Sequence, residues 1–329
     1  MKKFNQIPKI DLHCHLDGSI QLDTMQKLLE KRGRIYTREE LQAELFAPED
    51  CPSLAEYLKR FELPIQCLQT KEELKEAAQS LAISAAKENV TYLEVRFAPR
   101  FSTAEGLKIP EILESVHQGL EIAREKTGIY SGIIVCSMRH DSQENNLQML
   151  KEAREMYGAG VVAWDLAGDE KAFPTSNFRE LYREARKLEF PFTIHSGECG
   201  SKENIREAIE LGAKRLGHGI AMRGDRELMK ICREKQIGVE LCPTSNLQTK
   251  AIASWSEYPY EEFVKYGVPL SVNTDNRTVS NTDSTRELEV LENHFSMDEE
   301  ALRQIYLWSV DMAFATDDVK DALCRKWSR

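Results

Sequence analysis

Eight short runs of apolar and β-branched residues recur along the chain, each closed by turn residues and separated from the next by a charged stretch. They are 9–16 (KIDLHCHL), 91–99 (TYLEVRFAP), 131–139 (SGIIVCSMR), 161–168 (VVAWDLAG), 190–198 (FPFTIHSGE), 214–220 (KRLGHGI), 237–246 (IGVELCPTSN) and 268–276 (VPLSVNTDN). Such runs read as buried strands. The stretches between them, such as EELKEAAQSLAISAAKEN and KENIREAIELGA, carry apolar residues three and four apart, the mark of one-sided helices. Strands that alternate with helices form a parallel sheet, because each helix returns the chain to the same sheet end. Eight such units in 329 residues predict a closed (β/α)8 barrel, the TIM-barrel architecture, as one domain over 1–329. Residues 17–90 are an exception, an excursion between the first two strands with extra helices. Within it, SLAEYLKRFELPIQ puts Leu54, Tyr57, Leu58 and Phe61 on one helical face, which suits either a core stripe or a lid over the barrel mouth.

Charge narrows the class of partner. A formal net charge of -10 opposes broad binding to nucleic acid or acidic membranes, where clustered Lys and Arg are needed. A small-molecule partner is expected, and no protein partner is evident. The opening MKKFNQIPKIDL lacks an apolar signal core, and no stretch approaches the roughly 20 apolar residues of a membrane span, so a soluble cytoplasmic protein is expected. None of the eight cysteines forms a CxxC pair, which suits reduced, buried thiols.

In a barrel of this kind chemistry sits at the carboxyl ends of the strands. Here those ends read HCHLD, FAPR, SMRH, DLAGD, HSGE, GHG, CPTSN and NTDN, while the strand bodies stay apolar. Five of the seven histidines fall there: His13, His15, His140, His195 and His218. His117 and His294 lie in helical stretches and are expected to face solvent. His13 and His15, two apart on a strand, project from the same face. Zinc accepts imidazole nitrogen and carboxylate oxygen, and His195 and Asp275 at other strand ends are able to complete a ligand set. The fourth strand end has no lysine before Lys171, which favours one metal over a lysine-bridged pair. HExxH, PCxxC-type, GxGxxG and P-loop signatures are absent.

Taken in order, HCHLDGS, EVRFAP, SMRH, DLAGDE, HSGE, GHGI, CPTSN and SVNTDN resemble the adenosine deaminase family of metal-dependent barrel hydrolases, one motif per strand across essentially the whole chain. The resemblance implies zinc-dependent hydrolytic deamination of adenosine and 2'-deoxyadenosine, with one zinc ion held by His13, His15, His195 and Asp275. It implies that Glu198 protonates purine N1, and that His218 meets the attacking water either as base or as electrostatic stabiliser. By the same resemblance, Asp17 accepts from the ribose 5'-hydroxyl, the Gly168 amide meets N3, and His15 borders the substrate. Asn276 stands where the animal pattern has a second Asp, and its amide is able to donate to N7 without first being protonated. Arg100 replaces a histidine common in relatives, which leaves that contact open. Two alternatives remain at this stage: a deaminase of adenine or of a modified adenine nucleoside, and a non-catalytic zinc-binding relative.

Overall fold

The computed structural model describes residues 2–48, 50–199 and 201–327, with the backbone alone for residues 2, 3 and 54. All eight expected strands form: β1 (Lys9–His15), β2 (Val90–Phe97), β3 (Tyr130–Met138), β4 (Val161–Ala167), β5 (Thr193–Ser196), β6 (Arg215–His218), β7 (Gly238–Leu241) and β8 (Leu270–Val272). Every neighbouring pair is parallel, in the orders β1-β2-β3-β4 and β5-β6-β7-β8. Two seams close the ring. At one, the Trp164 N–H donates to Pro191 O (3.0 Å); at the other, the Asp275 N–H donates to His13 O (2.8 Å) and the His15 N–H to Asp275 O (2.7 Å).

The strands are buried on both faces because helices cover the outside, which is why β2 reads as a continuously buried run. The predicted crossover helices appear as Lys71–Lys87, Ile109–Thr127, Arg179–Lys187 and Lys202–Leu211, among others. Capping fixes where several begin. Thr70 accepts from the Glu73 N–H while Glu73 reaches back to Thr70, and Ser201 accepts from the Asn204 N–H. Among the described residues no helix is long and apolar enough to cross a membrane.

Two expectations need correction. The run 237–246 is not one strand: β7 stops at Leu241, and Pro243–Gln248 is a short helix. Pro243 lacks an N–H and has a fixed φ, which suits the first turn of a helix rather than a ladder. The stripe from Leu54 to Phe61 is not one continuous α-helix either. Leu54–Leu58 passes through a 3₁₀ turn, Lys59–Phe61, into Glu62–Cys67. Tyr57 is buried against Ala47, Cys51 and Val279, Phe61 packs beside it, and Leu58 is 45% exposed. The side chain of Leu54 lies outside the described residues. Thus the core-stripe reading fits Tyr57, while Leu58 faces solvent.

Candidate active site

The pleat of β1 sends His13 and His15 to the same side, at the carboxyl end of the ring. His195 is inside β5, His218 ends β6, and Asp275 lies three residues beyond β8. His218 and Asp275 both take left-handed backbone conformations, with φ of 63° and 57°. Non-glycine residues avoid that region, and where they occupy it the surrounding structure is holding them there.

The side chains converge on one point. His15 Nε2 is 3.3 Å from His195 Nε2, and Asp275 Oδ1 is 3.4 Å from both His13 Nε2 and His15 Nε2. Ligands roughly 2.1 Å from a tetrahedral zinc ion stand about 3.4 Å from one another, so these edges fit a zinc site. His13 Nε2 is buried without a hydrogen-bond partner, as a nitrogen reserved for a metal would be. The opposite ring nitrogens are tied back: His13 Nδ1 is 2.8 Å from Glu240 Oε2, and His195 Nδ1 is 2.8 Å from Asp165 Oδ2. The Glu240 carboxylate holds a proton on His13 Nδ1 and so turns His13 Nε2 toward the cluster. Burial holds His15 well below the usual imidazole range, helped by its neighbours His13 and His195, and burial also lowers His195. Both rings are therefore neutral donors. Burial opposes ionisation of Asp275, but the adjacent His13, its Nε2 3.4 Å away, holds the carboxyl well below the usual range. His218 and Cys242 also reach this cluster. The Cys242 thiol, however, is pushed well up by burial and donates to Glu240 O, and His218 Nε2 faces Glu198 Oε2 at 3.8 Å.

Beside the cluster lies a cavity of about 320 Å³. Asp17, Gly168, Glu198 and Asn276 line it together with His15, His195, His218 and Asp275. Asp17 Oδ1 is buried and unpartnered, so it offers a polar atom to an occupant. Burial raises the Glu198 carboxyl to about 8, and the neighbouring charges of Asp275 and Glu170 push the same way. Burial raises Asp17 to about 6. Gly168 adopts φ +105°, a conformation side chains rarely accept, and so presents bare main chain to the cavity. Burial and the nearby His13 keep His218 well below the usual range, hence neutral. Asn246 lies 2.9 Å from His218 Nδ1, and Tyr258 donates to Asn246 Oδ1 at 3.4 Å, which turns the amide N–H toward the ring. A ring that accepts at Nδ1 carries its proton on Nε2, on the cavity side.

The structure therefore brings together all four predicted metal-ligand residues, Glu198, His218 and the predicted substrate residues. Tyr57, Leu58 and Phe61 also reach the cavity wall, on its outer side with Ile65, Phe101 and Met138. Arg100 does not line it; its Nε pairs with Asp141 Oδ2 at 2.7 Å. The rim position is taken by Phe101, stacked on His140 with ring centroids 6.1 Å apart. His294 is exposed and stacks on Trp255, whereas His117, contrary to expectation, is half-buried, its ring packed over Gly160, where a glycine leaves room. Sequence reasoning missed Glu240, Asp165 and Asn246 as supports. Each sits inside a recognised motif or strand, but nothing in spacing alone shows which ring it holds.

The sequence matches the family model for adenosine deaminase over residues 8–328. An adenosine deaminase of Enterococcus faecalis is 40% identical over 326 residues, covering 98% of this chain and 97% of that protein. Two solved structures share the fold. The adenine deaminase of Arthrobacter aurescens superposes with TM-score 0.90 at 23% identity, covering 98% of each chain. A zinc-bound amidohydrolase of Burkholderia ambifaria gives 0.89 at 24%, covering 99% of this chain and 90% of that one.

Proposed function

The chain belongs to the adenosine deaminase family, and from that premise we propose a zinc-dependent hydrolase that converts adenosine and 2'-deoxyadenosine to inosine and 2'-deoxyinosine with release of ammonia, a purine-salvage step. The observation that carries the reading is the set of 3.3 to 3.4 Å edges among His13, His15, His195 and Asp275. They fit one zinc ion, and those four residues would hold it. When bound, zinc lowers the pKa of a water ligand toward 7 and so supplies a nucleophile at neutral pH.

The chain's own groups do the rest. Glu198, protonated at neutral pH, gives its proton to N1 as oxygen adds at C6, so that the ring's electron pair has somewhere to go. His218 directs an Nε2–H at the incoming oxygen, which favours the stabiliser role over the base. Asp275 is the remaining carboxylate able to accept a proton from the water. The C6–N6 bond then breaks: the amine leaves as ammonia with the proton Asp275 took from the water, and the C6 hydroxyl proton returns to Glu198 as the carbonyl forms. Asp17 accepts from the 5'-hydroxyl, the Gly168 N–H meets N3, and Asn276 donates to N7.

Nucleoside is favoured over nucleotide and free base. Asp17 repels a 5'-phosphate, and among the described residues no Lys or Arg lines the cavity. Free adenine would leave Asp17 Oδ1 buried without a partner. We read the whole chain, 1–329, as one barrel domain serving this reaction, in a cytoplasmic setting that suits its eight unpaired cysteines. Metal removal tests the proposal. Chelated protein should lose adenosine deamination and regain it on adding zinc to about one ion per chain. Full turnover in metal-free protein would refute it.

A further inference from the structure

Glu170, two residues past Gly168, is buried and touches no part of the cavity. Its carboxylate reaches across to the loop after β5. Oε2 accepts the Gly197 N–H at 3.0 Å, and Oε1 accepts the Cys199 N–H at 2.7 Å. These are the two backbone amides on either side of Glu198. Asn204 Nδ2 also donates to Oε2 and to the Glu170 carbonyl, each at 3.3 Å, while its own Oδ1 accepts the Thr175 N–H at 3.0 Å. On the far side of the same loop the Ala221 N–H donates to Gly197 O at 2.9 Å. Three N–H donors, from Gly197, Cys199 and Asn204, compensate the burial of the Glu170 carboxylate, and the charge of Arg139 acts on it as well.

We propose that Glu170 is a positioning residue for deamination: by gripping both amides that flank Glu198, it fixes the acid relative to the Gly168 amide of its own loop. The proposal rests on the roles assigned above to Glu198 and Gly168. Those roles place the two groups on N1 and N3, ring nitrogens separated by a single carbon, so their mutual spacing must match one rigid edge of the substrate. A carboxylate suits the task because each oxygen takes one amide. Glutamine has one acceptor oxygen and would turn an NH2 toward the other N–H; aspartate keeps the charge but is one methylene too short to span both.

The test uses the full, zinc-loaded chain, comparing Glu170→Gln and Glu170→Asp with the wild type for kcat, KM, zinc content and Tm. We expect kcat for adenosine to fall on the order of 10- to 100-fold in both variants, with KM changed by less than about threefold. Zinc content and Tm should stay close to wild type. Wild-type kcat in either folded variant would overturn the proposal, as would a loss of kcat matched by equal losses of zinc and of folded protein, which marks a purely structural role. If Glu170→Gln fails to fold, Glu170→Asp decides. Failure of the functional reading itself looks different, because the wild type would then release no ammonia from adenosine.

Discussion

Glu198 faces Asp275 and has the Glu170 carboxylate behind its loop, and burial among these charges raises its own pKa to about 8. The acid form is the working form, so activity that depends on it is present below that pKa and declines as pH rises through it. A bound dication moves the midpoint downward, so kcat/KM should fall on the alkaline side as Glu198 loses its proton. A rate still rising on the alkaline side would contradict the assignment. Replacing Glu198 by Gln preserves shape but cannot protonate N1, so we expect turnover to fall roughly 10²- to 10⁴-fold while inosine binding persists. Near wild-type turnover would remove Glu198 from the mechanism. His13, His15, His195 and His218 were legible in the sequence because each stands at a strand end, whereas Asp17 and Glu198 were marked only by the resemblance of their motifs to the family. Glu170 was not, since an acidic residue in DLAGDE looks like any loop carboxylate until its two amide donors are seen. The left-handed backbones of His218 and Asp275 were equally hidden, because nothing in their identity signals positive φ.

At the scale of elements, Tyr57, Leu58, Phe61 and Ile65 line the cavity, and a buried polar contact joins their segment to the far end of the chain. The Tyr57 hydroxyl is 2.7 Å from Ser280 Oγ, joining the first excursion to the loop after β8. That loop is already tied to the end of β1: the Thr278 and Val279 N–H groups donate to Gly18 O, and a side chain at Gly18 would strike Asn276 Oδ1 at 2.0 Å. Tyr57→Phe deletes one buried hydrogen bond worth about 1 kcal/mol, so KM for adenosine should rise about fivefold while kcat changes little. Unchanged KM would show that the segment does not shape the site. Apolar runs closed by turn residues made the eight strands readable. The break at Lys59–Phe61 was not readable, because the apolar stripe continues through it; contact with Val279 and Ser280, more than 200 residues away, sets the geometry.

Across the whole molecule, the barrel interior carries a connected set of buried charges. Arg96 bridges Asp165 (3.0 Å) and Glu240 (2.8 Å), and Arg215 joins Glu240 (2.6 Å) to Glu94. Glu94 in turn accepts the Phe314 N–H (2.7 Å), and Arg215 donates to Met312 O (2.9 Å). The network thus runs from the His13 ring to the chain that closes the amino-terminal end of the barrel. The arginines hold Glu240 well below the usual carboxylate range although burial opposes it, so its charge is integral to the fold. Glu240→Gln leaves two buried guanidinium groups short of a counter-charge and should cost about 3–5 kcal/mol of stability, along with zinc affinity. An unchanged Tm would dismiss the network as incidental. In sequence the strand bodies read as apolar, yet Glu94 and Arg96 alternate with Leu93, Val95 and Phe97 in β2, and closure of the ring buries that charged face too.

Substrate ranking tests the central claim most directly. With the zinc-loaded chain and equal concentrations of adenosine, adenine and AMP, the initial rate of ammonia release should be highest for adenosine, by about tenfold or more, because Asp17 rewards a 5'-hydroxyl and repels a 5'-phosphate. A faster rate with adenine or AMP, or none with adenosine, would contradict the account.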